Sequence, residues 1–447
     1  MASAALGVVL LVSVPACGRG GAGSGASPSG VVGFVPVDPA SPSPTDRAIA
    51  SAQTTLRRDP GDFQALLDLD QAYLQKAREV ADPSLYAKAA GITKLLAHRR
   101  PSDFGLLVTE GSLANALHRF ADGLRFGRQA VRIAPDSPSG YGVVVDAANE
   151  LGRYDEAIEA TQKMADLRAD LPALSRVSYA QELRGDLVSA TTSMTEAVTA
   201  GGTAGGENVA YVQVLLGNLL LTTGHVAQAE GQFEAAEQAF PGYPAARAGR
   251  AAVMVAGGRP ADAAALLSDV VRVQPLAAYA IAQGDDLTAA GQPAAAAQAY
   301  DLVGVIERLY AANGVNVDLE LALFEADHHP GPDAVAQARK GLASRPSYLG
   351  HEVLAWALYR AGRVTEAGKE IQRALQVGNI DPQLRFHAAV IEDALGDVAA
   401  ATRDLATVLA GNPRFSALYQ DQLNGLAARL GLVVPPPATG TPTAPAS

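Results

Sequence analysis

The chain has 447 residues, more than one ordinary globular core accommodates, and 48% of them are hydrophobic, with a formal charge of -11 and a pI near 5.2. That acidic balance argues against a nucleic-acid backbone as partner, which calls for a basic face. Abundant alanine beside a single tryptophan suits a chain packed from small residues between helices, and a single cysteine excludes an internal disulfide.

At the N-terminus, residues 4–14 form an apolar run about half as long as a membrane span requires. Val14, Pro15, Ala16 and Cys17 close it. This closing run looks like the lipobox of a bacterial lipoprotein, in which the signal is cut before a cysteine that is then lipidated. Pro15 and the lack of a Lys or Arg ahead of the run depart from the usual form. The resemblance implies that residues 1–17 are a signal peptide, that Cys17 is the lipidation site, and that the chain is exported and anchored on the outer face of the bacterial cytoplasmic membrane. Residues 18–45 are almost all Gly, Ser, Ala, Pro and Val, too poor in large apolar groups to offset the entropy of ordering. They read as a disordered linker whose ends lie roughly 30 Å apart as a flexible coil.

From residue 46 to 431 the sequence repeats. Glycines recur at Gly152, Gly185, Gly224, Gly258, Gly291, Gly362 and Gly396, with steps of 33, 39, 34, 33, 71 and 34 residues. The step of 71 holds two units and a short insertion. Each glycine follows a helical stripe and precedes another, as where a helix ends in the left-handed conformation that glycine adopts without a steric penalty. The clearest case is residues 351–375, where Leu354, Ala355 and Leu358 precede Gly362, and Ala367, Ile371 and Ala374 follow it. Ala355 and Ala367 are small where two antiparallel helices cross, and Ala374 is small where a third lies against them.

About ten such hairpins are predicted. The first pairs Phe63–Val80 with Ser84–Ala97 through a turn lengthened by Asp82 and Pro83. The second runs from Phe104 to Pro135, the third carries its turn at Gly152, and the fourth ends in the Gly-rich run 201–206, read as a flexible break. The fifth and sixth close at Pro241 and Pro275. In the seventh, the second helix, 294–312, outlasts the template. The eighth replaces the turn glycine with His328, His329, Pro330 and Gly331. Two more follow, then a helix over 416–430 expected to cap the open end, and a disordered Pro-rich tail over 432–447.

Gly217, Gly224, Ala229, Phe233, Ala236 and Pro241 stand in order at the signature positions of the tetratricopeptide repeat. Ala355, Gly362, Ala367 and Ala374, then Ala389, Gly396, Ala401 and Pro413, match in part. On these residues the chain resembles that family over about residues 62–430. The resemblance implies an all-α, right-handed α-solenoid of about ten hairpins. It also implies a non-enzymatic scaffold that binds a protein or peptide on the stripes of its first helices. Segments of units seven to ten, ALFEADHHP, LAWALYRAGR and FHAAVIEDALGD, also look like the C-terminal half of envelope-associated bacterial repeat proteins, which places the expected partner surface in this half.

On the first helices, Glu352, Trp356 and Tyr359 share one stripe, and Trp and Tyr are frequent binding hot spots. The competing reading is that both rings pack between helices. Equivalent stripes carry Phe386, Val390 and Asp393 in unit ten and Ile281, Asp285 and Thr288 in unit seven. Together they predict a groove that is apolar with acidic spots. Some family members grip a peptide C-terminus with Asn and Lys or Arg, but Asn218 is followed in the next unit by Ala248 and Gly249, so that clamp is not expected. Catalytic templates such as Gly-x-Ser-x-Gly, a phosphate loop or HExxH do not occur. No enzyme, cofactor, metal or small-molecule substrate is therefore expected. Two rival readings stand beside the scaffold. One is an envelope metal-binding or hydrolytic protein using His328, His329 and nearby carboxylates. The other is a cytosolic regulator with a misread N-terminus.

Overall fold

The computed structural model describes residues 34–37, 43–202 and 205–437. Cys17, the signal-like run, most of the segment read as a linker, and the last ten residues of the tail lie outside them. Among the described residues there are 22 helices and no strand. These described residues divide into two compact units, an N-terminal one up to residue 176 with 308–317, and a C-terminal one over the described residues of 177–307 and 318–437.

The N-terminal unit holds α1 (Pro44–Arg58), α2 (Phe63–Val80), α3 (Ser84–Arg99), α4 (Phe104–Ala116), α5 (Phe120–Ile133), α6 (Pro138–Glu150), α7 (Tyr154–Leu167) and the first half of α8 (Leu171–Glu182). Helix α1 goes beyond the predicted hairpins. Ser43 caps it by accepting from the Asp46 N–H, and Pro44 starts it, where its missing donor is not needed. It begins inside the segment read as a linker, because Ile49, Ala52 and Leu56 share one face and pack into the core. Residues 34–37 also pack there. The Val35 N–H donates to the Tyr73 hydroxyl at 3.3 Å, and the Gln53 amide donates to the Val35 carbonyl at 2.9 Å.

In the second hairpin, where no turn glycine was found, His118 takes the left-handed conformation at φ 55°. Its ring nitrogen holds the Asn316 carbonyl. Asn316 belongs to the stretch after α15 (Pro293–Ala312), the helix predicted to outlast its template. That surplus is used: Val315, Tyr310 and Val317 join the core of α1–α4. Farther along, Arg176 makes a paired contact with Asp146 at 2.8 and 2.7 Å with both side chains buried.

The C-terminal unit continues with α9 (Leu187–Ala200), α10 (Glu207–Thr222), α11 (Val226–Ala239), α12 (Pro244–Ala256), α13 (Pro260–Val273), α14 (Ala277–Ala289) and most of α15. It resumes with α16 (Asp318–His328), α17 (Pro332–Ser344), α18 (Tyr348–Arg360), α19 (Val364–Leu375), α20 (Pro382–Leu395), α21 (Val398–Ala410) and α22 (Gln420–Arg429). All seven turn glycines adopt φ between 65° and 81°. After each, the next residue's N–H reaches the carbonyl five residues back, as Arg363 does to Leu358 at 2.8 Å and Asp397 to Glu392 at 2.9 Å. This pairing absorbs the orphan carbonyls at a helix end and turns the chain back on itself. The period of the glycines is therefore the period of the hairpins.

The helix predicted over 416–430 is shorter, Gln420–Arg429, and is preceded by irregular chain. Its Leu423 and Leu426 are buried, and the stretch ahead of it, with Phe415 and Tyr419, lies against α18 and α20, with the Tyr419 ring centre 5.7 Å from Trp356 and 5.2 Å from Phe386. The start of the predicted disordered tail is also held, since Arg414 donates to the Pro435 carbonyl at 2.9 Å.

Candidate functional site

Helix α18 carries the stripe singled out in the sequence. Its small residues Ala355 and Ala357 let neighbouring helices close to full burial, and Leu354 and Leu358 fill the same core. The Trp356 ring, on the same helix, is buried with 0% exposure, as is Phe386, and Glu352 is 2% exposed. The groove expected from these three side chains is therefore core. The reason lies outside the repeat pattern: Phe415 and Tyr419 cover the stripe that a bare hairpin would leave open. Tyr359 is half-buried, stacked on Trp356 at 5.2 Å. Asp393 is partly exposed and accepts from Arg429 at 2.8 Å.

A polar network runs through this core. The Trp356 indole N–H donates to Asp327 Oδ1 and the Tyr419 hydroxyl to Asp327 Oδ2, each at 2.7 Å, while Arg360 donates to the Asp327 carbonyl at 3.0 Å. Burial pushes the Asp327 carboxyl above the usual range, against the pull of those two donors. His387 stacks on Trp356 at 3.9 Å, and its Nδ1 faces Glu352 Oε1 at 3.1 Å. Burial holds this imidazole down to about 3 and pushes Glu352 up to about 7. A neutral acid facing a neutral imidazole is the arrangement that least opposes burial. The Gln383 amide also donates to Glu352, at 3.3 Å. Asp381, which caps α20 by accepting from the Gln383 and Leu384 N–H groups, is raised to about 6 by burial and by Glu352. These groups are buried and, apart from His387 Nε2, hydrogen-bonded, which makes a polar core that fixes one packing.

Asp285, the remaining predicted site residue, lies on α14. The Tyr300 hydroxyl donates to it at 2.9 Å, and His328 Nε2 lies 3.2 Å away. The His328 ring packs between Tyr300 and Phe324, at 4.3 and 4.8 Å. His329 turns the other way, exposed, with its Nδ1 3.1 Å from Glu325. The two histidines therefore do not converge, and among the described residues no group of three or more His, Cys, Asp or Glu could hold a metal ion. His351 pairs with Glu370 at 2.8 Å rather than joining them.

Sequence reasoning gave Asp327, His387 and Tyr419 no part in this network. Asp327 and Tyr419 are 92 residues apart, and no local pattern announces that pairing.

Two models of the tetratricopeptide repeat match, over residues 220–284 and 331–384. No curated protein matches the chain by sequence. Among solved structures, the chain is similar to a thermophilic TPR protein of Thermus thermophilus, at 18% identity over 42% of this chain and 99% of that one, with a TM-score of 0.37. It is similar to a tetratricopeptide repeat protein of Parabacteroides merdae, at 15% identity over 55% of this chain and 98% of that one, with a TM-score of 0.39. It is also similar to a human IFIT1 dimer with PPP-AAAA, at 11% identity over 81% of this chain and 90% of that one, with a TM-score of 0.45. These distant likenesses add no functional argument. The matched segments run from the end of α10 into α14 and from α17 to the start of α20, where the turn glycines Gly224, Gly258 and Gly362 are left-handed, and over both the chain carries tetratricopeptide repeats.

Proposed function

We propose that the chain is a non-enzymatic scaffold of the bacterial cell envelope, lipid-anchored at Cys17, that binds a protein or peptide through its first-helix stripes. The repeat itself supports the scaffold reading, since tetratricopeptide-repeat proteins generally bind such partners. The observation that carries the choice of surface is the contrast between two stripes. Trp356 and Phe386 are sealed by the chain's own Phe415 and Tyr419, whereas Ile281 and Asp285 are half-buried and Thr288 is exposed. A partner meets the second stripe without first displacing part of the protein. The sequence motif at Cys17 supports the location.

A photo-crosslinking side chain at position 281, with the same group at Val188 as control, tests the surface. Val188 is 81% exposed on α9. A defined adduct from position 281 that is missing from position 188 is expected, and equal labelling from both would overturn the assignment. Membrane partitioning that survives Cys17→Ser would remove the anchor.

A further inference from the structure

In a solenoid each hairpin needs only its neighbours in the chain. Three turns of the C-terminal unit also meet parts of the chain far away in sequence. The α8–α9 turn lies on the loop between α19 and α20. A Cβ on Gly185 would stand 2.8 Å from the Gly378 carbonyl oxygen, and one on Gly378 would stand 3.3 Å from the Arg184 carbonyl oxygen. The α10–α11 turn lies on the end of α21 in the same way, with a Gly224 Cβ 2.7 Å from the Gly411 carbonyl oxygen and a Gly411 Cβ against the Thr222 carbonyl. The α12–α13 turn meets the tail, where a Gly258 Cβ would touch Pro437 at 3.4 Å. These contacts follow one another in chain order on both sides, and the first two fit because each side offers a glycine, which lets backbone approach backbone. At Gly291, Gly362 and Gly396 the same place is open space. Among the described residues no backbone–backbone hydrogen bond joins the two sides at the first two contacts, so their hold rests on fit and on the side chains beside them.

Two of those side chains are carboxylates, one from each side. Glu182 stands three residues before Gly185, and Asp381 stands three residues after Gly378. Burial first, and then Asp381, push the Glu182 carboxyl up to about 8. Tyr348 on α18 lies among Glu182, Asp381, Glu352 and Tyr179, and Asp381 faces Glu352 and His387 as well.

We propose that this seam is a pH-sensitive clasp in the C-terminal unit, closed while Glu182 is protonated and opened when Glu182 and Asp381 both carry charge. Asp381 ionises at about 6, so the second of two neighbouring like charges arrives with Glu182. In the open clasp Glu182 meets water and has its ordinary value of 4.5, so closing takes up a proton between 4.5 and about 8. The contribution to closure is complete below about 4.5 and is lost as pH rises through 8. The clasp goes beyond the first-helix stripe, since turns, a loop and a helix end make it, and it does not depend on that stripe having a partner.

Spin labels on Val188→Cys and Gln376→Cys, exposed positions on either side of the seam, report its opening in the full chain once the single native cysteine is removed by Cys17→Ser. Double electron–electron resonance should give one short distance at pH 6 and a second, longer one that grows towards pH 9, the closed-to-open ratio falling by up to about tenfold per pH unit. Glu182→Gln, neutral throughout, should keep the short distance at pH 9. Gly185→Ala should populate the longer distance already at pH 6, whereas Gly362→Ala should not. The two glycines share the same backbone conformation, φ 75° and 76°, and differ in what a Cβ would meet. A parent whose distances stay the same from pH 6 to 9, or a Glu182→Gln chain that responds as strongly as the parent, would overturn the proposal. So would equal distance distributions in Gly185→Ala and Gly362→Ala.

Discussion

The stretch α10–α13 and the stretch α16–α20 use the same hairpin but fill it differently. In the first, Phe233 is fully buried between Gly217 and Gly249, where any Cβ would run into its ring. Shape alone sets that packing, and it closes between neighbours in the chain. In the second, Trp356 fills the core, but its N–H and the carboxyl of Asp327 need each other and also need Tyr419 from beyond the last repeat. One repeat can thus be completed by sterics from adjacent units and another by hydrogen bonds from a distant segment. The polar version is the more exacting, since each member left alone is a buried unsatisfied group.

The largest effect expected from this contrast is that of Trp356→Ala. It should cost about 3–5 kcal/mol through lost burial and a cavity, and it also strips Asp327 of a donor. Denaturant unfolding reads this directly, and a loss under about 1 kcal/mol would mean that the ring is not core. In the apolar stretch, Gly249→Val should cost about 1–3 kcal/mol by overpacking against Phe233. Pairing it with Phe233→Leu should recover part of the loss, and strict additivity of the two changes would contradict direct contact.

A milder change is Tyr419→Phe, which keeps the ring and removes one donor to Asp327, for about 1–2 kcal/mol. In a Trp356→Phe background, where the other donor is already gone, its cost should differ from that in the parent. Unchanged cost would break the network into independent pieces.

The smallest effect concerns pH. The folded-state value of Glu352 is raised from 4.5 to about 7 by burial. The folded chain keeps a proton that the unfolded chain has already lost, so the contribution is complete below about 4.5 and disappears as pH rises through 7. His387, lowered from 6.5 to about 3, acts in the opposite sense over that lower range. Comparing the parent with Glu352→Gln largely cancels the His387 part. The difference in thermal midpoint should fall from pH 4.5 to 7 and then level off, and a flat difference would remove the buried neutral acid from the account.

The same contrast explains what was legible in the sequence. Turn glycines from Gly152 to Gly396 could be read because a left-handed helix end restricts one residue by itself, and the hairpins α6–α7, α8–α9, α10–α11, α12–α13, α14–α15, α18–α19 and α20–α21 follow from them. The turn at His118 could not, because its ring anchors to Asn316 through a contact no local rule supplies. Helix α1 was missed because a run of Gly, Ser and Pro leads directly into it. Of the expected groove, Asp285 and Tyr359 keep some access to solvent. Trp356, Glu352 and Phe386 lost theirs because amphipathic period tells which side of a helix is apolar, not whether a later segment will cover it.

The central claim, that the chain's own C-terminal segment seals the aromatic stripe, is open to a direct optical test because Trp356 is the single tryptophan. Its fluorescence should be blue-shifted and poorly quenched by acrylamide in the full chain, and Tyr419→Ala should raise the quenching several-fold while α-helical circular dichroism is retained. A red-shifted emission, quenched in the parent as freely as an exposed indole, would contradict the sealed core and return Trp356 to the protein's surface.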